Sequence, residues 1–157
     1  MQGFSGVHEV AAAEELGQGL YRTWRKQPTQ ATGSGFWFDL SMSPGNPVPN
    51  YYIGSPGVFV PLKQSTDGGI PHGGNVAPRR KFLRRLLAMT ITSTAVPLPM
   101  ILMDYLGFYG FIDEGVTDPQ SMTNATCITR YQDGAGVMLM PVVVAGQTGG
   151  QTFFVTY

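Results

Sequence analysis

At 157 residues the chain is long enough for one core and too short for two comfortable domains. Asp, Glu, Lys and Arg make up 13% of it, about half the usual fraction in soluble domains, and the formal net charge of +0 removes bulk attraction to nucleic acid or an anionic membrane. Cys127 is the single cysteine and His8 and His72 the two histidines, which excludes an intramolecular disulfide and a cysteine and histidine framework for structural zinc.

Residues 5–26 read as an N-terminal helix. Val7, Val10, Ala11, Glu14 and Leu16 open it, and Leu20, Tyr21 and Trp24 recur at three- and four-residue spacing. Gly17 and Gly19 weaken its middle, each by up to about 1 kcal/mol relative to Ala. Pro28 stops it, and a polar linker over 29–35 leads onward. Residues 1–34 are therefore expected to be a helical arm and linker, and 35–157 a β-rich domain.

From Phe36 onward, short aromatic or β-branched runs are separated by Gly, Pro, Asn and Asp. That punctuation predicts a mainly β fold, a β-sandwich or jelly-roll-like barrel. Residues 36–41 are a strand candidate with Phe36, Phe38 and Leu40 on one face; 43–49 form a Pro-rich turn; 51–53 look extended; 58–62 are a short run with Pro61 suited to an edge. A glycine-rich surface loop is expected over 63–78. Residues 79–91 are ambiguous: Arg80, Lys81, Arg84 and Arg85 share a helical face opposite Phe82, Leu83, Leu86 and Leu87, yet 89–94 is β-like. A helical turn or two followed by a strand reconciles the two patterns. Strand candidates follow at 99–105 and 125–131, with a loop over 108–118. Residues 137–145 and 152–157 flank a five-residue glycine-bearing loop of hairpin length.

No secretory signal is expected, because Glu9, Glu14 and Glu15 come early and no basic region precedes an apolar run. The longest apolar stretches, 96–103 and 137–145, fall short of the roughly 18 residues of a membrane span. The chain is thus expected to be soluble and made in the cytoplasm.

Catalytic signatures are absent from the sequence: there is no Gly-x-Ser-x-Gly elbow, phosphate loop or His-Glu-x-x-His motif. Cys127, between Thr126 and Ile128, reads as a small buried thiol, and His72, which could meet Asp67 or Asp39, as a polar loop residue. Asp104, Asp113, Glu114 and Asp118 form an acidic patch without the spacing of a calcium loop. No catalytic, cofactor-binding or metal-ligating residue is assigned. Sparse charge and many aromatics point instead to surface covered by other proteins. The expected interface residues are Trp24, Tyr51, Tyr52, Phe108 and Tyr109 as aromatic anchors, with Arg79, Arg80, Arg84 and Arg85 for an acidic partner surface.

The runs Gly35-Phe-Trp-Phe-Asp-Leu-Ser-Met-Ser-Pro-Gly-Asn-Pro-Val-Pro-Asn-Tyr-Tyr52, Gly68-Gly-Ile-Pro-His-Gly-Gly-Asn75, Asp104-Tyr-Leu106 with Phe111-Ile-Asp113, and Asp133-Gly-Ala-Gly136 resemble structural proteins of tailed-phage virions. The resemblance implies a capsid decoration, or cement, protein on the virion surface. Such a protein locks neighbouring capsomers through contacts with the major capsid protein or another virion protein and is commonly a homo-oligomer such as a trimer. A tail or baseplate component, the base domain of a fibre, and a carbohydrate-binding module are the alternatives. No cofactor, membrane or nucleic acid is expected as a partner. Removing residues 1–30 is expected to leave a folded body that no longer binds its assembly.

Overall fold

The computed structural model describes residues 4–31, 33–63, 66–74, 76, 80–91, 99–113, 115–124, 126, 128, 130–131, 133–146, 150 and 152–156. The elements are α1 (Val7–Glu15), β1 (Arg25–Lys26), a single 3-10 turn (Leu40–Met42), β2 (Gly45–Asn46), β3 (Phe59–Pro61) and β4 (Gly107–Tyr109). The chain divides into two units, one of Met1–Thr23 with His72–Met103 and the other of Trp24–Pro71 with Asp104–Tyr157. The boundary expected near residue 34 falls inside the second.

In the first unit, α1 starts where Ser5 donates its backbone N–H and its hydroxyl to the Glu9 carboxylate, both at 2.7 Å. These bonds, the hydroxyl's foremost, hold the Glu9 carboxyl below its usual range. The helix ends at Glu15 and not at residue 26. Gly17 sits at φ +70° and donates to the Glu14 carbonyl at 2.9 Å, while Gln18 donates to that of Ala13 at 2.9 Å. This is a Schellman stop, built on the conformation glycine adopts without steric cost. Beside the helix, the Phe4 and Phe82 rings lie 5.4 Å apart. The Glu14 carboxylate accepts from Tyr21 at 3.0 Å and pairs with Arg84. Residues 80–91 are irregular and exposed throughout, so the helix expected from residue 79 does not form among the described residues, and the strand expected over 89–94 lies in part outside them. A helix of that length is marginal without tertiary packing, and Leu83, Leu87 and Ile91 are 64%, 73% and 90% exposed.

In the second unit, β1 pairs antiparallel with β2, Arg25 opposite Asn46, and β3 pairs antiparallel with β4, Phe59 opposite Tyr109 and Pro61 opposite Gly107. On its other side β3 meets Thr123, whose carbonyl accepts from Phe59 N–H at 3.1 Å. The Phe59 and Tyr109 rings pack at 5.4 Å, and Tyr52 meets Phe108 edge-on at 5.1 Å. Leu62 is the buried hydrophobic residue among those described, and Ser41 and Ser43 are buried polar ones.

The expected β-sandwich or jelly-roll-like barrel is not what the chain builds. Among the described residues the sheets are two pairs of strands, each strand two or three residues long. The expected strand at 58–62 is present as β3. Over 36–41 the strand gives way to the 3-10 turn, because the Asp39 side chain accepts from Ser41 N–H at 2.8 Å and folds the backbone back on itself. Residues 51–53 are not extended, since Tyr52 takes φ +51°. Strand structure falls at 107–109 instead of 99–105, and of the strand expected over 125–131 the described residues 126, 128, 130 and 131 are not extended into a sheet. The hairpin expected from 137–145 and 152–157 is not paired: among the described residues, no backbone hydrogen bond is made by 138–146 or 152–156. Inside 137–145, Pro141 withholds a ladder donor.

Candidate functional site

The most densely connected chemistry lies where β1, the 3-10 turn and the Pro-rich turn of the second unit converge. Lys26 projects its ammonium among three backbone carbonyls and donates to those of Pro47 at 2.8 Å, Ser43 at 3.2 Å and Ser41 at 3.3 Å. These satisfy all three of its donors. The ammonium also lies 5.9 Å from the centre of the Trp24 ring, within range of a cation–π contact. Burial pulls the Lys26 pKa down, partly offset by the Asp39 and Asp67 charges. Trp24 Nε1 donates to the Gly68 carbonyl at 3.1 Å. Gly68 is at φ +65°, and a Cβ there would strike the Ser41 carbonyl oxygen. Glycine is therefore required for the loop to lie against the turn.

A second chain of bonds starts from the Asp39 carboxylate. Its Oδ1 accepts from Ser41 N–H and its Oδ2 from the Tyr52 hydroxyl at 2.9 Å. Tyr52 and Ser41 hydroxyls are 2.6 Å apart; with the Tyr52 proton on Asp39, the Ser41 hydroxyl is the donor between them. Burial raises the Tyr52 pKa well above the usual phenol range. Tyr105 is pushed up to about 12, first by burial and then by the Asp39 charge and hydrogen bond. Both phenols stay protonated at neutral pH. Neither is a base or nucleophile there, and Lys26 has no donor to spare for a ligand. The cluster holds loops in place. Beside it, Arg25, Gln27, Pro44, Gly45 and Asn46 line an open depression of about 290 Å³, near the lower limit for a small-molecule site.

The expected interface residues divide. Trp24, Tyr52, Phe108 and Tyr109 are half-buried and packed within the second unit, where the Tyr109 hydroxyl also bonds Asn124. Tyr51 is 62% exposed. Arg80, Arg84 and Arg85 are exposed in the first unit, with Arg84 paired to Glu14, and Arg79 lies outside the described residues. His72 is contacted by Lys81, whose Nζ donates to the His72 carbonyl at 2.7 Å and lies 3.5 Å from its Nδ1. In the acidic patch, Asp104 forms a two-pronged pair with Arg130 at 2.7 and 3.2 Å, and Asp113 caps its own turn by accepting from Gly115 N–H. Cys127 and Glu114 lie outside the described residues. Among the described residues no three His, Cys, Asp or Glu side chains gather as metal ligands, and no helix is long and apolar enough to cross a membrane.

Sequence reasoning did not single out Lys26 or Ser41. Asp39-Leu-Ser41 carries a local turn signal in its Asx side chain, but the carbonyl set around Lys26 is assembled from residues whose side chains say nothing of it. No family model, curated protein or solved structure matches the chain.

Proposed function

We propose that the chain is a structural subunit of a phage virion, a capsid decoration protein that stabilises the head lattice through protein–protein contacts and performs no catalysis. The observation that carries this reading is where the apolar side chains lie. Leu62 is 8% exposed, whereas Met89, Ile91 and Phe154 are 90%, 90% and 95% exposed. Folding must offset a conformational entropy cost of about 1–2 kcal/mol per residue, which burial of so little apolar surface does not do. Such a surface, short of charge, suits a protein covered by neighbours. With no sandwich present, this reading rests on the surface and not on a compact β domain.

Cryo-electron microscopy of virions carrying this protein tests the proposal. Density repeated at lattice junctions of the head is the expected result. Density confined to the tail or to a fibre base would replace the decoration role with that alternative, and absence from the particle would overturn the virion reading.

A further inference from the structure

The turn that surrounds the Lys26 ammonium is held by bonds that do not involve Lys26. Met42 and Ser43 donate their N–H groups to the carbonyls of Asp39 and Leu40 at 3.3 and 3.1 Å, and Asn50 donates its own to the Ser41 carbonyl at 3.1 Å. The Asp39 carboxylate fixes Ser41 N–H at 2.8 Å, and Ser41 and Ser43 are buried. The carbonyl oxygens of Ser41, Ser43 and Pro47 converge on one point, where Lys26 Nζ lies 3.3, 3.2 and 2.8 Å from them. Without a donor at that point, three partly buried acceptors would be unpaired and their negative ends would face one another. The Trp24 ring, with its centre 5.9 Å from Nζ, adds a π-face that attracts positive charge. Burial opposes a charge there, and the Asp39 and Asp67 carboxylates favour one.

We infer that residues 41–47 form a ready-made binding site for a primary ammonium group, with Lys26 as its resident occupant. Three neutral oxygens match three N–H donors, the full complement of a primary ammonium. Their distances of 2.8, 3.2 and 3.3 Å suit N–H···O bonds and exceed the roughly 2.0–2.6 Å at which oxygen ligands hold magnesium or calcium. A guanidinium carries its donors in a planar fork, whereas these oxygens surround a single nitrogen. In the intact chain the site is filled from within, which fastens β1 to the turn without drawing a cation from solution.

Chemical rescue of Lys26→Ala in the full chain tests it. That substitution removes the atoms of n-propylammonium, so adding this amine restores what the site has lost. Hydrogen exchange of the Asn50 amide, which donates to the Ser41 carbonyl, reads occupancy. Protection is expected to fall in Lys26→Ala and to return saturably with n-propylammonium, by about tenfold at about ten times its dissociation constant. Tetramethylammonium, which carries the same charge and no N–H, is expected to have no effect. The wild-type chain, its site already filled, is expected not to respond to the amine. Lys26→Arg keeps the charge but not the donor geometry and is expected to lose protection as Lys26→Ala does. Should Lys26→Ala be unfolded on its own, n-propylammonium is expected to fold it, and failure to do so would overturn the inference. Undiminished Asn50 protection in Lys26→Ala or Lys26→Arg, or an amine effect equalled by tetramethylammonium or by the wild-type response, would overturn it as well.

Discussion

Lys26 shows how much of the second unit's order depends on one side chain. Its ammonium ties together the carbonyls of Ser41, Ser43 and Pro47, so Lys26→Met would leave three partly buried acceptors without a donor. Hydrogen bonds to charged groups contribute about 1.5–3 kcal/mol each when well buried; Lys26 is only half-buried, and the expected net loss is about 1–3 kcal/mol, read from chemical denaturation. The tyrosines give a pH test. Tyr52 and Tyr105 have folded pKa values above the ordinary phenol range, Tyr105 at about 12. A raised folded pKa stabilises fully below the unfolded value of about 10 and loses that contribution as pH climbs through the folded value. Stability should therefore fall between about pH 10 and pH 12. In an ultraviolet phenolate titration, Tyr52 and Tyr105 should ionise above the ordinary phenol range, an amplitude that Tyr52→Phe and Tyr105→Phe each reduce, and the absence of any such late ionisation would contradict the buried cluster.

Among the elements, the placement of β1 changes what an N-terminal truncation does. Trp24, Lys26 and the Arg25–Lys26 strand belong to the second unit, so removing residues 1–30 takes away its anchors as well as the helix. A chain starting at Trp24 is expected to keep the β1–β2 pairing and the amide protection of Gln27, which donates to Pro44. A chain starting at residue 31 should lose both, as hydrogen exchange would report. Equal protection of the rest of the second unit in the two truncations would remove Lys26 and Trp24 from this role. The elements were legible where a local signal was strong. Gly17 marked the weak point of the helix and proved to be its end, and Pro61 marked β3 as a short edge run. Alternating aromatics at 36–41 misled, because the Asp39 side chain competes for the backbone over the very residues that alternate. The runs at 137–145 and 152–157 have the composition of a hairpin, but composition alone does not bring two runs into register. The Lys26 cluster was illegible for a different reason: three carbonyls carry no sequence identity, and only the folded turns bring them to one point.

For the whole molecule, the decisive quantity is apolar surface left uncovered. Sparse charge in the sequence already pointed to a surface covered by neighbours, and the exposure of Met89, Ile91, Met138 and Phe154 gives that expectation residues. If the chain completes its core on neighbouring subunits, folding and association are one equilibrium and the melting temperature depends on concentration. Thermal unfolding of the purified full chain over about a hundredfold range of concentration measures this most directly. The account requires a midpoint that rises steadily with concentration. A cooperative transition with the same midpoint at every concentration, from a species that sediments at 17.0 kDa, would show a self-sufficient monomer and contradict it.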